Sequence, residues 1–149
     1  MKDNLPSTTT VKRYTVAEAN AMLPLLRSIV SDICEVFRNV TGRRVDLHRL
    51  LRARERSSSG QQYDDEVAET RADLQEEYDK IWKYREELEA LGVVLRQPEQ
   101  GAIEFPARVG GYDAYLSWRL GESEVMYWRE EEAPWTARKL LSVTDKTSS

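Results

Sequence analysis

The sequence predicts an α+β domain: a long antiparallel helical hairpin packed with a small antiparallel β-meander of about four strands. Three observations predict it. Apolar residues recur at helical steps through two long segments, about 15–55 and 64–91. A short polar stretch, "SSSGQQ" at 57–62, separates them. After Gly92 the period falls to two, and glycines punctuate short apolar runs.

The 149 residues suit a single domain. Residues 1–13, polar with Pro6 and a "STTT" run, read as a flexible tail. The helical hairpin is expected over 14–92, the meander of the same domain over 93–141, and a second flexible tail over 142–149.

The first helix opens at "TVAE". Thr15 is placed to accept from the amide of Glu18 while the Glu18 side chain reaches back, a capping box. Met22, Leu26, Ile29, Ile33, Val36 and Val40 follow at steps of four and three. Leu23, Val30, Cys34 and Phe37 form a second stripe beside them. A face this wide calls for cover by more than one element. Pro24 removes one helical hydrogen bond and is expected to bend the helix. In the second helix Val67, Leu74, Ile81 and Leu88 repeat at coiled-coil heptad spacing, widened by Tyr78, Trp82, Tyr84 and Leu91. Gly92 is placed as its C-terminal cap.

The strands are read as "VVLR", "AIEF", "YDAYLSW" and "EVMYW". Gly110-Gly111 is a two-residue hairpin signal, and "RLGE" marks the next turn. "EEEAPWTARKLL" reads as irregular, pinned to the body by Trp135.

Composition removes several function classes. The net charge of −4 opposes global attraction to nucleic acid or anionic membrane. No apolar run approaches the roughly 20 residues that a membrane-spanning helix requires. One cysteine, Cys34, and one histidine, His48, leave neither an internal disulfide nor a Cys/His zinc set. Cys34 reads as a small buried hydrophobe in the cytoplasm. No phosphate loop, nucleophile elbow or G-x-G-x-x-G occurs. No cofactor or metal is expected.

The most basic stretch, 42–56, has six arginines against Asp46 and Glu55. The acidic stretch 64–77 faces it across the loop, with seven acids against Arg71. Nucleic-acid binding is therefore not expected, unless Arg43, Arg44, Arg49, Arg52 and Arg56 point away from the second helix.

The remaining constellation surrounds "LSWRLGESEVMYW", 116–128. Arg119 and Glu122 are expected to pair across the turn. Trp118 and Trp128 could form a flat wall on neighbouring strands. Glu104 lies on the sheet face opposite Ile103 and Phe105, and Arg138 is placed to fold back. Such a group suits a small anionic ligand, or is only a turn with an ion pair.

"YTVAEANAMLPLL", "ELEALGVVLR" and "GAIEFPARVGGYDAYLSWRLGESEVMYW" together resemble an uncharacterised bacterial family, the domain of unknown function 2203. Relatives read Gly-Leu-Val-Asp-Phe-Pro at "GAIEFP", Cys-Trp-Arg-Leu-Gly-Glu at "SWRLGE" and Tyr-Trp-His at "YWR". The resemblance implies no activity. It marks Glu104, Phe105, Pro106, Trp118, Arg119, Gly121, Glu122, Tyr127, Trp128 and Arg138 as matching positions. Ser117 and Arg129 depart from the pattern, so a metal held through that cysteine and histidine is not implied here. The expectation is a non-enzymatic, cytoplasmic interaction or regulatory module, a homodimer with room for an unknown protein partner. The alternatives are the anionic-ligand or enzymatic site at Arg119 and Glu122, and RNA or ribosome contact by 43–56.

Overall fold

The computed structural model describes residues 12–57 and 61–147. The tail read over 1–13 falls, up to residue 11, outside the described residues, as does the centre of the 57–62 loop.

Helix α1 runs Val16–Arg56 and α2 Asp64–Ala90. Both halves of the capping box at Thr15 and Glu18 are made. The helix continues through Pro24. It buries Val16, Ala19, Leu23, Leu26, Ile29, Val30, Ile33 and Cys34 against one core. Leu23 and Val30, of the second stripe, are thus covered within the chain.

Five strands follow, β1 Val94–Gln97, β2 Ala102–Val109, β3 Tyr112–Arg119, β4 Tyr127–Glu130 and β5 Lys139–Leu140. They pair antiparallel in sequence order, so the meander gains a strand over the four expected. Gly110 and Gly111 both have positive φ, 60° and 85°, as a type I′ turn demands. β4 starts later than "EVMYW" suggests, because α1 takes the Val125 amide through the Asn20 side-chain oxygen at 2.7 Å. The stretch read as irregular supplies β5, which pairs Leu140 with Tyr127. The expected tail 142–149 contains a short helix, α3, Val143–Thr147, capped reciprocally by Ser142 and Asp145.

Register divides the sheet into two faces. Ile103 pairs with Trp118, Phe105 with Leu116, Ala107 with Ala114 and Leu116 with Trp128, all on the helix side. Tyr14 joins this core, its ring edge-on to Phe105 and its hydroxyl donating to the Leu91 carbonyl. The alternate positions, Glu104 with Ser117 and Tyr115 with Arg129, point to the other side.

The buried positions of α1 end at Val40, and those that face the sheet end near Cys34. From Thr41 to Arg56, about 24 Å at 1.5 Å per residue, α1 is accompanied by α2 as a projecting arm. Among the described residues no helix is long and apolar enough to cross a membrane.

Candidate functional site

The polar face of the sheet is organised by Glu104. Its neighbours in β2 are apolar and its own side chain is 1 % exposed. A carboxylate in that setting requires counter-charge and hydrogen bonds. Arg129 supplies both from β4: Nε donates to Oε2 and Nη2 to Oε1, each at 2.7 Å. Arg96 on β1 adds a third bond to Oε1, also at 2.7 Å. The two guanidinium carbons stand 5.0 and 4.9 Å from the Tyr115 ring centre. The free end of Arg129 donates to the carbonyls of Glu130 and Ala133, and so holds the chain that leaves β4. The hydrogen bond to Glu104, outweighing desolvation, raises the Arg129 pKa above its ordinary value.

A second group lies beside it. Glu122 Oε1 accepts from Arg138 Nη2 at 2.7 Å and from the Arg119 amide at 2.9 Å. Arg138 also donates to Ser117 Oγ at 3.0 Å and lies 4.1 Å from the Tyr127 ring centre. Segment 131–138 therefore folds over the polar face and is fastened at both ends by arginine.

The structure folds Arg138 back onto this region, where it takes Glu122. It does not make the expected Arg119–Glu122 side-chain pair. The Arg119 guanidinium turns instead to Gln100 Oε1 at 3.1 Å and the Trp135 ring, and its Nε is buried without a partner. Trp118 is fully buried on the helix face, with its indole N–H donating to the Glu122 carbonyl. Trp128 shares that face, with Lys139 over its ring. Strand alternation thus separates both tryptophans from the arginine and carboxylate group, and neither forms a wall beside Arg119.

Sequence reasoning missed Arg129 and Arg96, the principal partners of Glu104. The available signal was Glu104 itself, a charge inside the run "AIEF". Ser117 and Arg129, where motif and chain differ, are neighbours of Glu104 on this face. With three hydrogen bonds to two arginines, Glu104 has little capacity left to act as a base. Among the described residues no three His, Cys, Asp or Glu side chains gather as a metal site would need.

The arm presents a different arrangement. Arg43 pairs with Asp73 at 3.2 Å and Arg54 with Asp64 at 2.9 Å, both across to α2. Arg49 pairs with Asp46 on its own helix. Arg44, Arg52 and Arg56 are exposed and outside these pairs, and His48 is exposed beside them. Two open grooves of about 330 and 450 Å³ run along this face, lined by Val45, His48, Arg49, Arg52 and Arg56, and by Thr41, Arg44 and Val45. On α2, Tyr78 and Trp82 remain 42 % and 59 % exposed.

The chain belongs to an uncharacterised conserved protein family, DUF2203, whose profile matches residues 12–141. No curated protein and no solved structure matches it.

Proposed function

We propose that this protein is a non-enzymatic, cytoplasmic interaction module that acts as a homodimer and makes its contacts through the helices. One observation carries the reading. The largest exposed aromatic on the helices, Trp82, stands one helical turn from exposed Tyr78 and so forms an apolar step on α2. Sheet, core and ion pairs leave that step uncovered. The polar face of the sheet supports the same reading, since Glu104, Arg129, Glu122 and Arg138 satisfy one another. The buried free thiol of Cys34 suits a reducing compartment.

Light scattering at high micromolar concentration is expected to give twice the chain mass, and Trp82→Ala to return the monomer with helicity unchanged. A monomeric wild-type protein overturns the homodimer.

A second reading rests on the unpartnered Arg119 Nε. The Arg119 guanidinium, beside Gln100 and Trp135, would receive a small carboxylate or phosphate as a planar fork. Under that reading Arg119→Ala keeps the fold and loses function in a complementation assay. A fully functional variant removes it.

A further inference from the structure

The geometry points to the outer face of α1, from Thr41 to Arg56, as a binding surface for the phosphate backbone of single-stranded RNA. The acidic stretch of α2 is the natural objection, because it suffices in number to neutralise every arginine opposite. The structure limits its reach. Asp73 and Asp64 engage Arg43 and Arg54, which lie toward α2. Arg44, Arg52 and Arg56 lie outside these pairs. A row of steps of four, Arg44, His48, Arg52 and Arg56, climbs about 6 Å per step along one side of the helix. Arg49 flanks the row, held to Asp46, and Glu55 is the carboxylate beside it. Both grooves on the arm follow this row and are walled by its side chains.

The occupant follows from chemistry and shape. Guanidinium groups repeated along a straight helix match a linear series of phosphates, each able to accept two parallel hydrogen bonds. A single strand can follow one straight helix, whereas the arm offers no second basic element to straddle a duplex. The face carries Val45 and Thr41 and, besides the His48 imidazole, no ring on which a base would stack, so phosphate contacts dominate and sequence preference is weak. Asp65, Glu69 and Glu76, exposed on α2, repel the strand from that helix and set the side on which it docks. This surface is separate from the Tyr78–Trp82 step and does not depend on the homodimer.

The test is fluorescence anisotropy of a labelled oligouridine with the full chain. Binding is expected at low salt, with a log–log salt slope of about −2 to −3, the value for three or four phosphates at about 0.7 each. Arg52→Glu with Arg56→Glu should weaken it by at least about tenfold and flatten the slope. Lys83→Glu with Arg85→Glu changes the net charge equally on α2 and should alter it within about twofold. Circular dichroism checks the helices, and Arg52→Gln with Arg56→Gln replaces the first pair if they are disturbed. Absent low-salt binding, equal loss in both charge-reversed proteins, or tighter binding to polyglutamate than to RNA overturns the proposal.

Discussion

The sheet and the arm use the same residue types to opposite ends. On the sheet, arginine and glutamate are buried and consume one another: Arg129 and Glu104 are 5 % and 1 % exposed, joined through two parallel hydrogen bonds. On the arm, Arg49 and Asp46 form a pair that is 72 % and 59 % exposed, and Arg44, Arg52 and Arg56 lie in solvent. A buried pair is committed to structure, because separating it strands a charge in a poor solvent. An exposed arginine can be withdrawn from water at little cost to the fold and is available for a partner. Burial, more than residue type, separates the structural charges of this chain from those free to bind.

Breaking the sheet pair should give the largest effect. Glu104→Ala leaves Arg129 and Arg96 facing a buried gap and should cost about 3–5 kcal/mol in urea denaturation. Replacing Glu104 and Arg129 together by leucine should cost much less than that single change, since the buried Arg129 charge goes with its partner and Arg96, 31 % exposed, can turn to water. A double variant as unstable as the single one would place the cost in packing. Glu122→Ala frees Arg138 and the Arg119 amide and should cost about 1.5–3 kcal/mol in the same assay.

Tyr14 gives a smaller effect. Burial, with Glu18 adding to it, pushes its phenol above the ordinary value of 10.0. A raised folded-state value means a contribution complete below about pH 10 and lost as pH climbs through the folded pKa. Tyr14→Phe should cost about 0.5–1.5 kcal/mol at neutral pH and flatten the alkaline decline in denaturation midpoint. On the arm, Arg43→Ala should cost less than about 1 kcal/mol, and Arg52→Ala should change stability by at most about 0.5 kcal/mol. A large loss from Arg52→Ala would erase the distinction between the two regions.

Local chemistry made much of the fold legible in the sequence. Thr15 and Glu18 announce the start of α1, and Gly110-Gly111 a turn whose two central residues need positive φ. Both signals act within a few residues. The features that escaped depend on distant pairings. Lys139–Leu140 shows no alternation and becomes a strand only because β4 offers it an edge. Arg129 meets Glu104 across 25 positions, through a register that spans three strands. The sequence pairs Arg119 with Glu122 because the two flank one turn. Arg138 captures that carboxylate from outside the turn, and only the path of 131–138 brings it there. Sequence thus located the candidate residues more readily than it paired them.

Gly101 has a further consequence for Cys34. A side chain there would meet Val30 Cγ1 at 2.7 Å, Leu120 Cβ at 2.8 Å and Cys34 Sγ at 3.1 Å. The backbone at this glycine is pressed onto α1 like a lid, and the thiol beneath it donates to the Pro98 carbonyl. A thiol reagent therefore reaches Cys34 only when the 98–101 turn lifts from the helix. As the single cysteine in the chain, Cys34 is a native stopwatch. Its labelling rate reports how often the 98–101 turn lifts from α1, without any probe having to be introduced.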